Sequence, residues 1–177
     1  MMFSVLLLLS VTACTDPYAY KDLAVTPQRP QKLCERVDGS VLADFGKDAV
    51  GWLELRNVVS GVYEIVVGEM TNAYGHVTNA YPMSTIRMHS YAGPVIGPSW
   101  RMPFPVDKLN TTGWDPKAPA IRIPERIGRI SPFRYVEIVR SPSAVTPSNV
   151  VRHAVHYPID MTQSMFESEN EGLNAVV

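Results

Sequence analysis

Carboxylates stand on or beside the extended stretches of this sequence at Asp44, Asp48, Glu54, Glu64, Glu69 and Glu137, and a general acid–base mechanism would draw on these residues. Two of them facing each other across a substrate, roughly 6.5–9.5 Å apart, could protonate a leaving group and activate a water. Their local settings favour structural roles instead. On an antiparallel pairing Glu64 meets Arg56, Glu54 shares that solvated face, and Asp44 precedes Phe45-Gly46 as a turn residue would. Glu69, at a strand end before a turn, is a polar site candidate, and no residue is assigned as catalytic. His153 and His156 are three apart, which on a strand sends them to opposite faces, so they cannot chelate one ion. His76 and His89 are isolated, so neither a metal nor another cofactor is expected. The sequence has no G-x-S-x-G nucleophile turn and no phosphate-cradling glycine pattern. Trp100 and Trp114 lie in a proline-rich stretch, where an exposed indole could stack on a sugar ring. Packing is the competing role for both, and the favoured one for Trp52 inside a strand.

The elements that would position these side chains are extended. Residues 44–69 predict two amphipathic strands joined by a loop of Val59, Ser60 and Gly61, with the glycine in the left-handed position. In that hairpin Leu55 faces Ile65 and Leu53 faces Val67 on a dry side, while Arg56 faces Glu64 on a wet one. A sheet with one dry face needs a second layer, so the fold class expected is all-β, an antiparallel, jelly-roll-like β-sandwich. The 15 prolines and 11 glycines spread along 177 residues agree with many short segments and turns.

Along the chain, residues 15–36 read as a tether, with 31–37 adding a short edge strand, and the sandwich is expected over 37–160. Residues 71–75 form a turn cluster before a short strand at 76–78. A strand follows at 83–91, with Ile86, Met88 and Ser90 on one face and Arg87, His89 and Tyr91 on the other. From 92 to 119 a long loop is expected, with one short strand near 104–106. Short strands are predicted at 120–123 and 126–130. Residues 133–140 are apolar on both faces and so central, and 150–157 form another strand. From Thr162 the pattern turns helical, through Met165, Phe166, Leu173, Val176 and Val177. That apolar face expects a partner which the sequence lacks, so 161–177 reads as the start of a truncated helical region.

Composition bounds the remaining classes. A net charge of −1 without a basic run leaves no electrostatic footprint for nucleic acid. The apolar run at 3–11 is too short to span a bilayer and leads into Val11-Thr12-Ala13-Cys14. Residues 1–14 thus resemble a bacterial lipoprotein leader, in which Cys14 becomes the lipidated first residue of an exported periplasmic or cell-surface protein. A first buried strand is the alternative for this run. Cys34 is then unpartnered and expected as a half-buried small side chain, with a Cys14–Cys34 disulfide as the competing arrangement.

Several short motifs occur in a telling order: Asp44-Phe45-Gly46, Gly51 to Leu55, Tyr63-Glu64-Ile65 with Gly68-Glu69, Gly75-His76-Val77, Ser84-Thr85-Ile86-Arg87, and Pro132-Phe133-Arg134-Tyr135-Val136-Glu137-Ile138. From about Val41 onward the chain resembles the β-sandwich region that precedes the helical (α/α) catalytic barrel of bacterial α-L-rhamnosidases. The resemblance implies a parent activity that removes terminal α-L-rhamnose from glycans without a redox cofactor. It also implies that the catalytic carboxylates lie in the barrel, which this chain lacks, and that the barrel is the sandwich's partner. A stand-alone carbohydrate-binding surface lipoprotein is the alternative.

Overall fold

The structure, a computed structural model, describes residues 23–80, 87–104 and 124–158. Among them are ten strands: β1 (Ala24–Gln28), β2 (Lys32–Glu35), β3 (Val41–Arg56), β4 (Gly61–Gly68), β5 (Met70–Thr71), β6 (Val77–Thr78), β7 (Met88–Val95), β8 (Ser99–Arg101), β9 (Ser131–Arg140) and β10 (Val150–His156). Every pairing among them is antiparallel. The main path runs β1-β10-β3-β9-β4-β7, with β2 and β8 each added on β3, and β5-β6 form a separate two-stranded ribbon. The all-β, sandwich-like class expected from the sequence is what forms.

Sixteen residues make β3 long enough to serve both halves of the sandwich. Its first residues lie between β2 and β9, with Val41 opposite both Glu35 and Ile138. Its last residues lie between β10 and β8, with Leu55 opposite both Val150 and Trp100. Between them the register against β9 slips from Asp44/Tyr135 to Ala49/Phe133. That bulge re-aims the strand, and Gly46 supplies the positive φ of 82° that it needs. Asp44 fixes the bend by accepting from the Gly46 N–H at 2.7 Å. The core is filled from both halves: Phe45, Leu53, Leu55, Tyr63, Ile65, Val67, Phe133, Val136 and Ile138 are all essentially buried. Along β4 the alternation is clean, with Tyr63, Ile65 and Val67 inward and Val62 exposed.

The predicted hairpin over 44–69 is not formed. Leu53, Leu55, Ile65 and Val67 all reach the core, but Ile65 faces Ile138 and Val67 faces Val136 across β9. Both edges of β3 at its far end are already occupied by β10 and β8, so no edge is left for β4. The connection carries its left-handed residue at Asn57, φ 51°, rather than at Gly61. Glu64 therefore meets Arg140 at 3.4 Å and Arg56 meets Glu54 at 2.8 Å, in place of the expected Arg56–Glu64 pair.

Other boundaries move. Residues 24–28, expected within the tether, form β1 along β10, while the expected edge strand near 31–37 is β2. Of the strand expected at 83–91 the described residues form Met88–Val95, running into the stretch read as loop, and a further strand lies at Ser99–Arg101; residues 83–86, and 105–106 of the strand expected near 104–106, lie outside the described residues. Residues 126–130 are not extended. Pro124 accepts from the N–H groups of Ile127 (2.9 Å) and Gly128 (3.2 Å), and Gly128 has φ 67°, so the segment turns and buries Ile127. The centrality of 133–140 holds, since β9 lies between β3 and β4. The leader at 1–14, the short strand at 120–123 and the helix at 161–177 lie outside the described residues.

Candidate functional site

Glu137 lies on β9 with its side chain on the face away from the core, opposite Leu42 and Val66, yet it is 3% exposed. The β5–β6 ribbon covers it. Gly68 makes that close approach possible, since a Cβ there would stand 2.7 Å from Val77 Cγ1. The Val77 N–H donates to Glu137 Oε2 at 2.8 Å, His76 Nδ1 lies 2.7 Å from Oε1, and Arg36 Nη1 donates to Oε1 at 2.6 Å. One carboxylate thus ties together the end of β2, the ribbon and the central strand, a well-satisfied buried group of the kind that fixes geometry.

Two tight turns project above this anchor. In the first, Arg36 N–H donates to Ser40 O and Gly39 N–H to Arg36 O, with Gly39 at φ 81°. Asp38 Oδ1 accepts from both the Ser40 N–H (2.9 Å) and the Ser40 hydroxyl (2.7 Å), and these bonds hold its carboxyl below the usual carboxylate range. In the second, Asn72 Oδ1 accepts from the N–H groups of Tyr74 and His76, both at 3.0 Å, and Gly75 takes φ 83°. Between them is an open cleft of about 390 Å³ lined by Glu35, Arg36, Val37, Asp38, Tyr74 and His76. The turn cluster at 71–75 was legible in the sequence; the meeting of the two turns was not.

A second polar network lies on the outer side of the other half. Glu54, expected on a wet face, is 8% exposed and accepts from the Ser99 hydroxyl, from Arg56 at 2.8 Å and from His153 Nε2 at 2.5 Å. Burial pushes its carboxyl up, but the hydrogen bonds from Arg56, Ser99 and His153 outweigh that and hold it down at about 2. Trp52 stacks on His153 at 4.6 Å and 5°, and Arg101 lies 4.2 Å from its ring centroid, so its role is packing, as expected. Because the depressed carboxyl stabilises the fold, that contribution is complete above the ordinary 4.5 and disappears as pH falls towards 2. Glu54→Gln is expected to lose about 2 kcal/mol at pH 7 and to flatten the acid limb between pH 4.5 and 2. Urea titrations across that window check it, and superimposable curves for the two proteins would contradict the assignment.

Asp44 is paired with Arg134 at 2.8 Å, and Glu69 accepts from the Arg87 N–H at 2.6 Å. Asp48 is exposed, and partial burial raises its carboxyl. His89 Nε2 lies 2.8 Å from the Ser131 hydroxyl. His153 and His156, three apart on β10, point to opposite faces as the strand requires. Trp100 is half-buried on β8, packed against the core and 4.7 Å from the Tyr91 ring centroid. Cys34 is a free, exposed thiol rather than a half-buried one, because among the described residues β2 has β3 as its only pairing strand. Trp114 and Cys14 lie outside the described residues. Among the described residues no group of three or more His, Cys, Asp or Glu is arranged to hold a metal ion.

No family model matches this sequence, and no curated protein does. Among solved structures the chain is similar to an α-L-rhamnosidase from Dictyoglumus thermophilum, with 18% identity and a TM-score of 0.47. That similarity covers 75% of this chain and 13% of the other, so the chain spans a small part of the length of the protein it matches.

Sequence reasoning passed over Arg36, Asp38 and Tyr74. The available signals were the Asp38-Gly39 turn and a tyrosine at the tip of Asn72-Ala73-Tyr74-Gly75, where an aromatic has nothing local to pack on. Tyr74 is 84% exposed.

Proposed function

We propose that this chain is the non-catalytic β-sandwich portion of an α-L-rhamnosidase-like glycoside hydrolase, whose parent activity removes terminal α-L-rhamnose from glycans. The order of the short motifs supports the family, and two of them meet in space, since His76 and the Val77 N–H both engage Glu137 of the 132–138 run. The observation that carries the non-catalytic part is the engagement of the carboxylates. Asp44, Glu54, Glu69 and Glu137 are each held by side-chain or backbone donors, and a carboxyl held at about 2 cannot serve as a general acid near neutrality.

In the parent enzyme the sandwich would pack beside the catalytic barrel and shape the approach to its cleft. The purified chain is expected to release no aryl alcohol from an aryl α-L-rhamnoside. Hydrolysis abolished by Asp48→Asn, at the carboxyl that burial raises, would overturn the reading. The alternative, a stand-alone carbohydrate-binding module, draws on the exposed Tyr74 rather than on Trp100, whose ring is occupied by Tyr91.

A further inference from the structure

We propose that the cleft between the 36–40 and 72–76 turns binds a single pyranose ring through a vicinal diol, with Tyr74 as the stacking platform and Asp38 and His76 as paired hydrogen-bond partners. The choice of ligand class rests on the accessory-module reading above, but the geometry states the chemistry by itself. Asp38 Oδ1 is consumed by Ser40, which leaves Oδ2 facing the cleft, 4.0 Å from His76 Nε2. His76 Nδ1 is turned inward, 2.7 Å from Glu137 Oε1 and 2.8 Å from Arg36 Nη1, which leaves Nε2 as the ring nitrogen on the cleft side. At 4.0 Å the carboxylate oxygen and the ring nitrogen are too far apart to hydrogen-bond each other. Two adjacent hydroxyls of a sugar ring, about 3 Å apart, can engage both, one donating to Asp38 Oδ2 and the other donating to or accepting from His76 Nε2.

Both groups are reachable, the Asp38 side chain being 52% exposed and that of His76 43%. Beside them Tyr74 offers an uncovered ring, and Val37, fully exposed, offers an apolar edge. A flat apolar platform next to a few fixed polar groups is the arrangement by which a hydroxylated ring with one apolar face is held. Every polar member is held in place beforehand: Asp38 by Ser40, His76 by Glu137 and the Asn72 turn, and Glu137 by Arg36 and Val77. Little ordering therefore remains to be done on binding.

The test is a titration of the full chain with methyl α-L-rhamnopyranoside and, separately, methyl α-D-galactopyranoside, followed by amide chemical shifts. At least one glycoside is expected to bind saturably with a dissociation constant on the order of millimolar, as suits one small ring, with shifts concentrated at 36–40 and 72–77. Tyr74→Ala and Asp38→Ala should each weaken binding about tenfold or more. Tyr157→Ala, at another exposed tyrosine, should leave it unchanged. Tyr74 sits at a turn tip without core contacts, so its variant should keep the wild-type spectrum elsewhere. Absence of saturation by either glycoside up to about 50 mM, or binding untouched by both cleft variants, overturns the proposal. Such a failure in a chain without hydrolase activity leaves the accessory reading standing. Hydrolysis by the chain overturns that reading whatever the cleft binds.

Discussion

Gly51→Ala is expected to cost about 4 kcal/mol or more, a large share of the roughly 5–15 kcal/mol by which a domain of this kind is stable. Gly51 is flanked on both sides, opposite Ala154 of β10 and Ser131 of β9. A Cβ built there would stand 2.1 Å from the His153 carbonyl oxygen, 2.9 Å from its carbon and 3.1 Å from the Ala154 Cα. These are backbone atoms, so no rotamer change relieves the overlap, and β10 must move off β3. Separating them breaks the ladder from Val150/Leu55 to Ala154/Gly51 and disturbs the Trp52–His153 stack. Gly61→Ala provides the contrast. There the Cβ would meet Pro142 Cγ at 2.9 Å, a side-chain atom in a loop that can yield, and the expected cost is about 1 kcal/mol. Urea midpoints for the two variants decide the matter, and a Gly51→Ala protein within about 1 kcal/mol of wild type would show that β10 approaches β3 less closely than described.

Arg152→Ala should be nearly as damaging, at about 3–5 kcal/mol. Arg152 is 1% exposed, on the inward side of β10 with Val150 and Ala154. Its guanidinium donates to Gln28 Oε1 from Nε (2.9 Å) and Nη2 (2.6 Å), and from Nη1 to the carbonyls of Lys47 (2.9 Å) and Phe133 (2.6 Å). The rings of Phe45 and Phe133 lie 4.6 and 5.6 Å from its Cζ. Burial pushes its pKa down to about 10, against the smaller opposing pull of Asp48 and Asp44, so it remains a cation at neutral pH. Truncation would strand two backbone carbonyls and open a cavity at once.

Arg152→Met separates those costs, because it keeps most of the volume and removes the donors. It is expected to remain about 2 kcal/mol below wild type, the cost of carbonyls left dry and unpaired. If the Arg152→Met protein matched wild-type stability in denaturant titrations, the buried charge would be a desolvation cost that its hydrogen bonds merely offset.

The contrast between these sites and the rest of the fold shows what a linear pattern can carry. The alternation at Tyr63, Ile65 and Val67 and the two-sided apolarity of 133–140 place their strands correctly, because burial on a sheet is a property of one strand and its faces. Pairing is a property of two strands. The proximity of 44–56 to 61–69 suggests a hairpin, and only the distant residues 99–101 and 150–156 reveal that β3 has no edge to offer. The same gap hides Glu54, whose polar, outward position is covered by Ser99 and His153 from far along the chain. Arg152 was more legible, since a charge between Val150 and Ala154 on one face of a strand is an exception to its own pattern. The Tyr74 cleft escaped notice because its two turns, though each recognisable, meet through contacts far apart in sequence, Glu137 lying 101 positions from Arg36 and 61 from His76, and Arg36 lying 40 from His76.

The long strand β3 also sets the order in which this domain can come into being. Its far half is flanked by β8 and β10 and its near half by β2 and β9, so most of its partners are synthesised long after it leaves the ribosome. The core cannot close until residues 150–156 emerge, and β1, made well before β3, must wait for β10. Assembly therefore completes late in synthesis, and a chain stopped short of Val150 would leave one edge of β3, at residues 51–55, uncovered.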